Sequence, residues 1–264
     1  MTIHSRRIAC LMLLTCTVAQ AAGARDKVQS LSSEVGTALS GKSLGVTRRA
    51  LPPTFMAMTA GKAAFALLGT AAMAADGKQI VADNEIRDPA DIIQAALVPA
   101  LVQKYGLVLK NEGASAITPG NDPKEILGAQ PGSDVVLDLR SVGWQFGYAP
   151  THWGAYWVAY GVEVRMVDAS TGKLIAYQGC GGNTQKHEVR PTKDDLLLDK
   201  AQLLKDTLGY LGWNCAQQLA KDGFQIEPEL LATRPEQFVD PLVQYASKHP
   251  ASAPATVNTA APQR

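Results

Sequence analysis

The chain has 264 residues, 46% hydrophobic and 19% charged, which is enough for one sizeable core. Its 25 basic and 24 acidic residues leave a net charge of +1, which argues against a phosphate-tracking surface and so against nucleic acid as a partner. No block of like charges marks a tail for an acidic or basic partner.

The first residues read as an export signal. Arg6 and Arg7 precede a short apolar run, Ile8–Val18, and Ala19-Gln20-Ala21 offers small residues where a signal peptidase reads them. Two readings stay open. Residues 1–21 are a signal peptide cut after Ala21, or Leu13-Leu14-Thr15-Cys16 is a lipobox and the chain is cut before Cys16 and lipidated there. Either cut leaves Cys180 and Cys215 as the internal cysteines, and two cysteines in an exported chain predict a disulfide. A redox-active pair is the sharper alternative, but the CxxC spacing is missing.

Residues 22–41 are polar and small, the pattern of a linker or loose helix. Lys42–Thr47 predicts a short strand before the Leu51-Pro52-Pro53 break. Thr54–Ala75 is rich in Ala, Leu and Met and apolar nearly all round, which predicts a helix of about membrane-span length. Lys62 and two glycines interrupt it, so the expectations are a helix packed through small residues, or one that inserts in a membrane or forms oligomers. Asp76-Gly77 would end it, with Ile80-Val81 extended. Asp88-Pro89 signals the start of a helix that carries Ile93, Leu97 and Leu101 at helical spacing, kinked by Pro99 and stopped by Gly106. Leu107–Leu109 follows as a strand, and residues 111–133 read as turns with one helical turn at Pro123–Leu127.

Asp134–Cys180 reads as three antiparallel strands. The turn at Asp168–Gly172 would pair Met166 with Leu174, Val164 with Ala176 and Val162 with Gln178. In the preceding strand Leu137 and Leu139 are odd-numbered while Trp144, Phe146 and Tyr148 are even. A single bulge near Ser141–Gly143 puts both sets on one face. That register sets Asp138 opposite Arg165 and Arg140 opposite Glu163 on the other face. Thr192–Asp195 resembles a capping signal for a long helix with Leu204, Leu208, Leu211, Cys215 and Leu219 on one stripe. Residues 229–250 hold a short satellite helix and 251–264 read as a disordered tail.

Catalysis has little to stand on in this pattern. His152, His187 and His249 lie in no nucleophile or metal motif, and no phosphate loop or metal-ligand spacing is present in the sequence. No cofactor is therefore expected. On the parity above most aromatics are core. His152 and Trp153 at the hairpin tip, and Trp157 with Ile175 and Tyr177 on the far face, remain as a partner surface.

The strand–turn–strand Val164–Ala176, with its Asp168-x-x-Thr171-Gly172 turn, between a helix–strand unit and a long helix resembles Gram-negative envelope proteins. These are the Tol-system amino-terminal domain, the curli-secretion lipoprotein and related outer-membrane accessory lipoproteins. The segment GWQFGYAPTHWGAYWVAY is also similar to proteobacterial envelope proteins with a W-x-F-x-Y…W…Y stretch. The resemblance implies export, an accessory non-enzymatic role and no catalytic residue. Thr15 departs from the lipoprotein pattern. The expectation is one α+β domain over 42–228, a meander extended by one or two strands with helices packed on it. It would serve as an envelope accessory or scaffold protein that binds an envelope protein or itself. A periplasmic enzyme with a site assembled from loops is the alternative, and a membrane-associated oligomer using residues 54–75 is a third.

Overall fold

The computed structural model describes residues 27–49, 52–59, 66–110, 116–117, 122–149 and 152–249. The signal peptide, Cys16, Lys62 and the tail 251–264 lie outside the described residues. The fold is α+β. Its sheet is a meander of three long strands, β6 (Val135–Ala149), β7 (His152–Asp168) and β8 (Lys173–Asn183), all antiparallel. Three short strands extend it on the β6 side. β1 (Ser43–Val46) runs parallel to β6 and carries β4 (Val108–Leu109) at its outer edge, and β3 (Met56–Ala57) pairs with β6 further along, at Gln145–Phe146. A separate two-stranded ribbon joins β2 (Arg48–Arg49) and β5 (Ala116–Ile117).

One face of the sheet carries helices. These are α2 (Ala66–Asp83), α3 (Ala90–Tyr105) and α5 (Lys193–Gln218), with short α1 (Ser33–Thr37), α4 (Pro123–Gly128) and α6 (Pro241–Lys248) elsewhere. The stripe on α5 is the anchor: Leu204, Leu208, Leu211, Cys215 and Leu219 are at most 4% exposed. Thr192 and Asp195 form the capping box at its start, as their spacing implies. The helix breaks at Leu198–Ala201, where Asp199, Lys200 and Ala201 are left-handed, a conformation that costs about 1–2 kcal/mol per non-glycine residue. Ala201, at the end of the break, is buried. The Cys180–Cys215 disulfide ties β8 to α5, with a Cα–Cα distance of 5.5 Å.

The bulge lies where the parity conflict demands it. The β6–β7 register shifts between Ser141 and Gly143, so Leu137 faces Met166, Leu139 faces Val164, Trp144 faces Tyr160 and Phe146 faces Val158 on the helix side. Below the shift Asp138 lies opposite Arg165, and Arg140 opposite Glu163.

Three expectations are corrected. The β7–β8 hairpin pairs Met166 with Ala176, Val164 with Gln178 and Val162 with Cys180, two residues beyond the expected register. Asp168 widens the turn by accepting from the Ser170 and Thr171 hydroxyls and the Thr171 amide, and a second bulge follows at Met166–Val167. Beyond the second bulge a shift of two keeps every face, but before it the faces change: Leu174 opposes Val167 and packs with Ile126 and Val136 away from the main core, and Ile175 packs against that core. The expected helix 54–75 is also displaced. Met56–Ala57 is a strand, and α2 continues through Gly77 and Ile80-Val81. Gly77 is why: a Cβ there would lie 1.6 Å from the Phe55 carbonyl oxygen, so α2 crosses β3 at main-chain contact. No helix among the described residues is long and apolar enough to cross a membrane. Third, residues 27–41 are not a loose linker. Leu31 and Leu39 are fully buried, and Gln29 bridges to Tyr177 on the β8 edge.

Candidate partner surface

The sheet face turned away from α3 and α5 changes character at the bulge. Below it the face is closed. Asp138, with no exposed surface, accepts from Thr47 Oγ1 at 2.6 Å and from the Arg49 guanidinium, both delivered by the chain leaving β1. Glu163 gathers three donors: Arg140 Nη2 at 2.7 Å, Arg165 Nη2 at 3.0 Å and the Tyr177 hydroxyl at 3.0 Å. Burial alone would raise the Glu163 pKa, but these partners hold it below the usual carboxylate range. The Arg165 guanidinium also lies over the Tyr177 ring, 4.7 Å from its centroid. Arg140 meets Glu163 and Asp138 lies opposite Arg165 as expected, while Asp138 also accepts from Arg49 and Arg165 also reaches Glu163.

Above the bulge the same face is open and nearly bare of side chains. Gly143, Gly147, Gly161, Gly181 and Ala159 line it, and Val142, the inserted residue, is 47% exposed. A groove of about 360 Å³ runs beside it, walled by Pro53, Met56, Val142, Gln145 and Ala159. Trp157 opposes Gly147 and lies over it, since a Cβ on Gly147 would meet the indole at 2.4 Å. Its Nε1 donates to the Tyr148 carbonyl at 3.1 Å, fixing an aromatic plate on this side of the sheet.

The residues expected to form a partner surface are not brought together. Trp157 lies on the open half. Tyr177 opposes Arg165, eight residues further down the β7 register, which is about 26 Å at the rise of a strand. Ile175 is the extra residue of the second bulge and packs against the main core. The His152 main chain opposes Ala149 at the hairpin tip, and the side chains of His152 and Trp153 lie outside the described residues. Val142 is the residue the parity argument missed: once a bulge is placed at 141–143, its inserted side chain is the one turned outward.

The described polar clusters elsewhere are occupied structurally. His187 Nδ1 lies 3.0 Å from the Val189 amide and so accepts from it, leaving Nε2 to donate to Asp240 at 3.2 Å. Both ring nitrogens are spent holding α6 near Val189. Asp88 accepts from Ser141 Oγ at 2.5 Å and from the Ala90 amide at 2.9 Å, and Ser141 Oγ lies 2.8 Å from the Tyr160 hydroxyl. This chain fastens the start of α3 to the bulge, and burial raises the pKa of both Asp88 and Tyr160. No group of three or more metal-ligating side chains occurs among the described residues.

No protein-family model matches this chain, and no curated protein matches it. Among solved structures it is similar to the hypothetical protein CT253 from Chlamydia trachomatis, at 11% identity and a TM-score of 0.37, over 70% of this chain and 98% of that one. It is also similar to the lipoprotein GNA1162 from Neisseria meningitidis (16% identity, TM-score 0.23, 54% and 82% covered). The third is the LpoB C-terminal domain from Escherichia coli (16% identity, TM-score 0.18, 55% and 84% covered). At these scores the likeness carries no argument about role.

Proposed function

We propose that this chain is an exported cell-envelope accessory or scaffold protein that binds another protein through the open half of its sheet. Export rests on the leader ahead of Ala21 and on the disulfide, which persists in an oxidising compartment. The periplasmic side of the envelope is the location that follows, with Cys16 as the anchor if the lipobox is the cleavage site. Binding rests on one observation above all. The bulge turns Val142 outward over a glycine floor, at Gly161 and Gly143, on the half of the face that ends at the fixed Trp157 indole, while ion pairs hold the other half.

The test is a photo-crosslinking amino acid at Val142, with the same group at exposed Lys221 as control, in cells that export the protein. Covalent capture of an envelope protein from position 142 and not from 221 is the expected result. Equal yields at the two positions would sink the reading. Fractionation and mass measurement of the mature amino terminus decide between cleavage after Ala21 and lipidation at Cys16.

A further inference from the structure

The residue that turns outward at the first bulge is not the one hydrophobicity would choose. Leu139 and Trp144 both face the helices, so with one residue inserted a neighbouring pair between them faces outward together. Two placements put that pair on the open face. In the observed one Ser141 lies inward opposite Val162, and Val142 and Gly143 share the place opposite Gly161. In the other, Arg140 and Ser141 would share the place opposite Glu163, and Val142 would lie inward opposite Val162. Every other β6–β7 pair is the same in both, and Arg140 keeps its place beside Glu163.

Burial of apolar area favours the second placement. It would seat Val142 against Val162, a core residue, and turn a serine to solvent. The structure has the reverse: Ser141 is 4% exposed and Val142 is 47% exposed. Gly161 leaves room for this, since Val142 Cγ2 lies 3.2 Å from where a Cβ on Gly161 would stand.

What holds Ser141 inward is its hydroxyl. With Asp88 ionised, Ser141 Oγ donates to Asp88 Oδ1 at 2.5 Å and, that proton spent, accepts from the Tyr160 hydroxyl at 2.8 Å. Tyr160 is buried, and Asp88 Oδ1 has the Ala90 amide as its other donor. Turning Ser141 outward would take a hydrogen bond from each of two groups that water does not reach freely, which outweighs the part of one valine left exposed. We infer that Ser141 is a positioning residue of the open half: the Tyr160–Ser141–Asp88 chain selects the placement of the bulge that puts Val142 on the surface. The upper half of β6 is then an element with two arrangements, one offering Val142 and one burying it, and the start of α3 chooses between them through Asp88. The docking role of Val142 rests on the reading above; the control of its orientation does not.

The test is NMR of the purified, disulfide-intact chain, read at the Val142 methyl groups. In wild type they contact the Gly161 α-protons. Ser141→Ala removes the hydroxyl, and those contacts should give way to contacts with the Val162 methyl groups. Asp88→Ala together with Tyr160→Phe takes both partners from an intact Ser141, should turn Val142 inward in the same way, and serves if Ser141→Ala fails to fold. Asp88→Asn keeps the acceptor, so Val142 should stay over Gly161 there. In cells, capture by a crosslinker at Gln145, which lines the same groove, should fall in the variants that turn Val142 inward and hold in Asp88→Asn. Val142 that stays over Gly161 in Ser141→Ala and in the double variant overturns the inference, as does Val142 turned inward in Asp88→Asn. Val142 turned inward with capture undiminished would sink the docking reading and leave this inference standing.

Discussion

The two halves of the open sheet face are built on the same strands, yet they hold together differently. Below the bulge, side chains do the work: Asp138 takes Arg49, and Glu163 takes Arg140, Arg165 and Tyr177. Above it, glycines bring main chain to the surface and one indole is clamped flat. Charge pairs, together with Ile126 of α4 packed on Val136 and Val167, close the lower half, and glycine leaves the upper half accessible. The helix-covered face supports both halves alike, so their stability should respond to mutation very unequally.

The largest effect is expected at Asp138. Asp138→Ala leaves the Arg49 guanidinium in a buried site without its carboxylate, at a cost of about 3–5 kcal/mol. Urea unfolding reads this directly, and a loss under about 1 kcal/mol would show the lower half to be less closed than its burial implies. Removing the disulfide with Cys180→Ser and Cys215→Ser should cost about 3–4 kcal/mol for a loop of 35 residues. That loss bears on β8 next to the open half, where no ion pair replaces it. A smaller effect belongs to the indole. Gly147→Ala puts a methyl where Trp157 lies, so the ring must lift and its bond to the Tyr148 carbonyl breaks, at about 1–3 kcal/mol. A red shift in tryptophan emission is the accompanying sign.

The pH dependence separates the closed half from the bulge by sign. Glu163 and Asp168 have depressed pKa values in the fold. Burial works against this at Asp168, but the hydrogen bonds from Ser170, Thr171 and Lys42 hold it at about 2 against its ordinary 3.8. Their contribution is present above the ordinary carboxylate range and lost as pH falls through the folded values, between about 4 and 2 for Asp168. Asp88 runs the other way. Burial raises its pKa, so its contribution is present at acid pH and lost as pH rises through the folded value. Asp88→Asn keeps an acceptor for Ser141 and Ala90, both of which bond the same oxygen, and removes the buried charge. That variant should be more stable than wild type at neutral pH, with the difference vanishing toward acid. An unchanged difference across the range would contradict the assignment.

How much of this was legible follows from the kind of information each feature uses. The bulge was legible because side-chain parity is strict: Leu137 and Leu139 cannot share a face with Trp144 and Phe146 unless a residue is inserted. The disulfide was legible because an export leader leaves Cys180 and Cys215 as the internal cysteines, and the buried α5 stripe carries Cys215. The β7–β8 register was not, because it depends on how far Asp168 opens its turn, and two insertions of one residue cancel in the face pattern. The start of α2 was hidden for a related reason. An alanine-rich run propagates a helix equally well from many points, and β3 is specified by Phe55 meeting Trp144 and Phe146 across the fold, at ring distances of 5.3 and 5.6 Å. Arg49 was missed as the partner of Asp138 because nothing in a sequence reports which of three nearby arginines arrives first.

The smallest stability effect is the one that decides what the open half is for. Val142→Asp changes a side chain that is half exposed at an inserted position, outside the ladder pairs, so it should move stability by no more than about 0.5 kcal/mol. If the upper half exists to bind, the same substitution should abolish partner capture in cells while the purified protein melts within a degree or two of wild type. A destabilisation comparable to Asp138→Ala would mean that Val142 is covered within this chain. The two halves would then be two ways of closing one face, and the glycine floor would be packing space for this chain alone. Stability retained with capture retained would move the binding surface elsewhere. Only stability retained with capture lost makes the bulge a device that trades one ladder pair for an outward-facing apolar contact.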